Sequence, residues 1–286
     1  MQPDATHIPE TPILRYFRSL PYAGPKGKTW GADRIAEAER LLSNPGLLAA
    51  HFAESAATVE AEYRNYQPFY PKSHTFGTQA KTKERHGESL RYTVDVAARL
   101  ASKAEAEWEV EGGARLGFRY LDREIEIARA NPSPIAPEGA VLKVDLFLAN
   151  SRDRTPILCE VKIRDDQCPL YALIQLLTQA AYAATQSQRE RLVLFGSTPD
   201  FVLREALPED PPMLDLYVLL VEPPNKNLYK ELRLLAIELG RTLIADRSVG
   251  ERIGRIAWLE AQPKDEHTLT IRAIDSVQSR FRTPRN

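Results

Sequence analysis

Residues 141–163 read VLKVDLFLANSRDRTPILCEVKI. Two apolar runs flank the polar turn NSRDR, and each has the length and the Val, Ile and Leu content of a strand. Side chains alternate faces along a strand. Glu160 and Lys162 therefore share one face of the second run, while Ile157, Cys159, Val161 and Ile163 share the other. On the first run Leu142, Val144, Leu146 and Leu148 form the apolar face and Asp145 points away from it. A hairpin centred on the turn sets Ala149 opposite Pro156, and hence Asp145 opposite Glu160. Directly opposed side chains lie roughly 5 Å apart at Cβ, where like charges repel. Two facing carboxylates with a lysine beside them need a compensating charge. A hard divalent cation held through oxygen ligands supplies it.

The rest of the chain frames this hairpin. Helical spacing predicts helices over 32–42, 46–66 and 87–106, with Asn44-Pro45-Gly46 separating the first two. A strand is expected over 117–128 before the two motif strands. An amphipathic helix follows over 170–186, with Leu170, Leu173, Ile174, Leu177 and Ala181 on its apolar side. Its other side carries Gln175, Gln179, Tyr182 and Gln186. The runs 191–196 and 214–221 read as buried strands. The end of the chain reads as a helix over 228–239 and a hairpin of 255–261 with 268–274.

Asp145 followed by Glu160-Val161-Lys162, with a strand before and an amphipathic helix and a strand after, resembles the PD-(D/E)xK nuclease superfamily. Lys143-Val144 stand where a proline commonly precedes the first acid. The resemblance implies an α/β fold: a restriction-endonuclease-like αβββαβ core, with a mixed central sheet flanked by helices. Residues 85–224 would form that core, 1–84 an N-terminal helical accessory region, and 225–286 a helix and hairpin packed on the core. It also implies a metal-dependent nuclease acting on DNA, in restriction, defence or mobile-element processing.

The implied roles fall residue by residue. Asp145, Glu160 and the Val161 carbonyl would hold Mg²⁺ or Mn²⁺. Asp145, Glu160 and Lys162 would be catalytic, with Glu88 on the first helix as a further acid. A lysine between two acids stays charged, so Lys162 is expected to position water and phosphate rather than act as a base. Gln175 and Gln179 echo the QxxxY element of RecB-like members without matching it, and would face the substrate with Lys83, Arg85 and His86.

Composition limits the alternatives. A net charge of −1 does not hold a protein on nucleic acid by bulk attraction, so basic side chains must be clustered. Two aromatic-rich basic stretches, 15–34 and 63–91, could supply the cluster. No apolar run approaches the roughly 20 residues of a membrane helix. The two cysteines, Cys159 and Cys168, suit a reducing cytoplasm. No nucleotide-binding glycine loop occurs, so a motor would be a separate chain, beside a homodimer as another expected partner. The competing class is a catalytically weak nuclease-fold protein serving as a nucleic-acid-binding or assembly module.

Overall fold

A computed structural model describes residues 9–20, 32–63, 105–109, 115–127, 142–163, 168–197, 202–203, 213–263 and 269–281. Among the described residues, seven strands form one mixed sheet in chain order: β1 (Glu105–Glu109), β2 (Arg115–Glu126), β3 (Lys143–Asn150), β4 (Pro156–Ile163), β5 (Leu214–Val221), β6 (Ile253–Pro263) and β7 (Leu269–Gln278). The first four run as an antiparallel meander. β4, β5 and β6 are parallel, and β7 turns back antiparallel on β6. Parallel neighbours need crossovers. They come from α4 (Pro169–Ala183) with α5 (Gln186–Gly196) between β4 and β5, and from α6 (Asn227–Ala245) with α7 (Arg247–Gly250) between β5 and β6. Before the sheet lie α1 (Pro12–Ser19), α2 (Ala32–Ser43) and α3 (Pro45–Tyr63).

The motif hairpin owes its register to its turn. Asn150 Oδ1 accepts from the Arg152 and Asp153 N–H groups at 2.9 and 3.3 Å, and the Asn150 N–H donates to the Thr155 carbonyl at 2.8 Å. Arg154 takes the left-handed backbone (φ 61°) that lets the chain reverse. Ala149 then pairs with Pro156 and Leu146 with Cys159, the register the alternation predicts. One step further along, Asp145 meets Glu160.

Both faces of the central strands are buried. One carries Phe147, Ala149, Leu158, Leu216, Val218 and Trp258 and packs against the helices in a single cluster that includes Ile13, Leu48, Phe52, Leu173, Leu177 and Leu232. The N-terminal and C-terminal helices thus share one core with the sheet. The opposite face carries Phe118, Leu146, Leu148, Cys159, Tyr217, Leu219 and Leu259, a second cluster without helical residues. The outermost strands β1 and β7 contact each other. The sheet therefore curls.

Several expectations are corrected. The run 191–196 is not a strand but the second half of α5, and the strand after the crossover is β5. In a strand Leu192, Val193 and Leu194 would alternate; here Leu192 and Val193 are both buried and Leu194 faces out. Most of the expected helix over 87–106 lies outside the described residues, but its last two residues, Glu105 and Ala106, belong to β1. The C-terminal hairpin is not an appendage to the sheet but its continuation, through the β5–β6 pairing.

Trp258, the largest fully buried side chain among the described residues, packs directly under Gly240 of α6. A Cβ at Gly240 would come within 2.2 Å of its ring. Gly→Ala normally gains about 1 kcal/mol in a helix interior, but a ring enclosed on all sides cannot withdraw. Gly240→Ala is expected to lower unfolding free energy by about 1–3 kcal/mol, measured by chemical denaturation. A stabilised variant would contradict this packing.

Candidate active site

The hairpin end furthest from the turn carries the site. Val161 N–H donates to Asp145 Oδ2 at 2.8 Å, which draws the carboxyl across the strand pair toward Glu160. Glu160 is 2% exposed, and its Oε1 lies 2.7 Å from Lys162 Nζ, on the same face of β4. Lys162 Nζ also donates to Gln175 Oε1 at 3.2 Å and sits 5.7 Å from the Tyr171 ring centroid. Gln179, one turn beyond Gln175 on α4, donates from Nε2 to the Lys143 carbonyl at 2.6 Å and to Glu160 Oε2 at 3.4 Å. Three consecutive turns of one helix thus touch the lysine, the lysine again, and the glutamate.

α4 is placed for this by its start. Pro169 opens its first turn, and Cys168 Sγ accepts from the Tyr171 N–H at 3.4 Å. Beneath, Ala172, Leu173, Ile174, Leu176, Leu177 and Ala180 are fully buried. At its far end the Tyr182 hydroxyl donates to the Pro9 carbonyl and lies 3.2 Å from Thr11 Oγ1. Tyr182 therefore ties down the N-terminal segment instead of continuing the amide row. Phe17 of α1 packs on Tyr171, ring centroids 4.9 Å apart, so the accessory region reaches the rim of the site.

The electrostatics follow from this crowding. Asp145 keeps some exposure. Even so, its carboxyl is pushed well above the ordinary carboxylate range, first by burial and next by the Glu160 charge, against the opposing pull of Lys162 and the Val161 N–H. Two acid groups and one amine are crowded into a poorly solvated place. Partial exposure of Asp145, Lys162 and Gln175 leaves it open to solvent on that side.

The donor set suits a hard cation that keeps part of its water shell. Mg²⁺ is commonly held by one or two carboxylates, with waters filling the remaining positions. Asp145 and Glu160 are such a pair, and the Val161 carbonyl belongs to the same strand segment. Among the described residues no group of three or more His, Cys, Asp or Glu side chains gathers anywhere. Any further protein ligand near this pair is therefore a neutral oxygen or lies outside those residues.

Asp145, Glu160, Val161, Lys162, Gln175 and Gln179 come together. Glu88, Lys83, Arg85 and His86 lie outside the described residues, as does the basic stretch from 64 to 91. Within the first basic stretch Arg15 is exposed, Arg18 pairs with Glu10 at 2.6 Å, and Arg34 is largely buried. Sequence reasoning missed Tyr171 beside Lys162, although it stands four residues before Gln175 and so on the same helix face. It also missed the Lys143 carbonyl, which no side-chain pattern announces. No helix among the described residues is long and apolar enough to cross a membrane. Comparison with models of protein families, with curated proteins and with solved structures finds no match to this chain.

Proposed function

We propose that this chain is a divalent-metal-dependent nuclease that hydrolyses phosphodiester bonds in DNA, built on a restriction-endonuclease-like arrangement. The supporting observation is the contact of two crowded carboxyl groups, Asp145 and Glu160, with one amine, Lys162, 2.7 Å from Glu160 Oε1 on the same strand. The order of elements around them, three antiparallel strands, a helix and a parallel strand, agrees with that fold.

A bound Mg²⁺ or Mn²⁺ would supply Lewis acidity and a water of lowered pKa. Asp145, Glu160 and the Val161 carbonyl would hold it. Lys162, steadied by Gln175, would stabilise negative charge gathering on the phosphate and orient the attacking water. Gln179 would keep Glu160 from turning away. Phe17 and Tyr171 would border the approach to the strand being cut.

The test is incubation of the full chain with supercoiled, linear and single-stranded DNA and with RNA, in Mg²⁺ or Mn²⁺. Cleavage of DNA that stops with EDTA and in Glu160→Gln is the expected result. Binding without cleavage, unchanged by chelation, would instead support the module reading and overturn this one.

A further inference from the structure

Gln179 is 1% exposed, and its two amide atoms have very different fates. Nε2 makes both of the contacts described above, to Lys143 O and Glu160 Oε2. Oε1 is enclosed and accepts no hydrogen bond among the described residues. Rotating the amide by half a turn does not relieve this, because it would set Oε1 against the Lys143 carbonyl oxygen at the 2.6 Å now taken by Nε2. The amide orientation is thus dictated by its neighbours. An acceptor held in this way, in the amide that touches Glu160, is costly to bury unless something positive meets it.

We propose that Gln179 Oε1 is an oxygen ligand of the divalent cation at Asp145 and Glu160. This rests on the metal-dependent reading above and adds to it: the third side-chain oxygen comes from a neutral amide on α4. Three features carry the argument. Oε1 shares an amide with the atom that touches Glu160 Oε2. Asparagine and glutamine carbonyl oxygens are ordinary ligands of hard cations. Gathered acid groups among the described residues stop at two. The same helix face would then serve both partners of the ion pair, Gln175 holding the ammonium and Gln179 the glutamate and its cation. Oε1 as a ligand also explains why a fully buried amide occupies a helix whose neighbouring positions are Ala, Leu and Thr.

The test is Mn²⁺ affinity of the full chain without nucleic acid, by calorimetry and by electron paramagnetic resonance. Gln179→Leu removes donor and acceptor and is expected to weaken binding by about ten-fold or more. Gln179→Glu keeps an oxygen at that place and loses the N–H, and is expected to bind close to the parent or tighter. If Glu binds as poorly as Leu, the amide acts only as an N–H clamp and the inference falls. It falls equally if Gln179→Leu binds like the parent while Asp145→Asn does not bind. If Asp145→Asn binds like the parent, the metal-dependent reading itself fails and takes this inference with it. Should the Gln179 variants not fold, the side-chain carbonyl carbon of Gln179 in the unsubstituted protein decides. Its resonance is expected to move with saturating Mg²⁺ and to stay in place in Asp145→Asn. A resonance that does not move in the parent overturns the proposal.

Discussion

Lys162→Ala is expected to abolish measurable cleavage and to weaken the fold at the same time. Removing a single group that stabilises developing negative charge costs about 10²–10³ in rate. The same substitution leaves Glu160, 2% exposed, without its 2.7 Å partner and still crowded by Asp145. Breaking a buried pair from one side costs about 3–5 kcal/mol, because the remaining charge stays uncompensated. Chemical denaturation beside a nicking assay checks both effects. Retained activity, or an unchanged unfolding free energy, would show that Lys162 has no role in the site.

Asp145→Asn is expected to act in opposite directions on stability and on metal response. Burial and the Glu160 charge raise the Asp145 pKa in the folded state above its unfolded value of about 4. A folded state that holds its proton more tightly has its full advantage below the unfolded pKa. That advantage is lost as pH rises through the folded pKa, at about 1.4 kcal/mol for each unit between the two. Metal-free protein should therefore be less stable at pH 8 than near pH 4–5 as far as this group is concerned. The substituted amide is neutral throughout, so the variant should lack this decline and be the more stable protein at pH 8 without metal. Adding Mg²⁺ should raise the melting temperature of the parent at pH 8 and leave the variant unmoved. A parent without pH-dependent loss, or a variant still stabilised by Mg²⁺, contradicts the assignment.

The site was legible in the sequence because it lies on one hairpin. The short polar turn fixes the register, so Asp145, Glu160 and Lys162 could be brought together from residues 141–163 alone. Strict alternation misplaced Leu142 and Val144, which pack on the helix side with Phe147 and Ala149 and not with Leu146 and Leu148. The role of α4 was half legible. Helical spacing aligned Gln175 with Gln179, but spacing cannot tell an amide row facing solvent from one pressed onto a strand. Only the backbone of Lys143 shows that Gln179 is the buried one. The failures have physical causes too. Arg191–Gly196 is a short apolar run, and such runs suit either a strand or a helix. The polar residues from Gln186 that complete the helix carry no apolar period of their own. The first helix was overlooked although Thr11 and Pro12 give it an N-cap and a first-turn proline. Strand order was the least accessible, since pairing between β5 and β6 depends on contacts far apart in the chain.

The continuity of the seven strands limits how this protein can be divided. Ending the chain after β5 would strip the main-chain hydrogen-bonding partners from a strand whose eight residues are all buried. It would also remove Ala257, Leu259 and Ala261 from the cluster that buries Tyr217 and Leu219. Such a newly made edge is a template for joining other chains. A fragment cut at residue 224 should therefore go into inclusion bodies or fibrils, so a shorter folded fragment would have to be sought by trimming ahead of α1 instead.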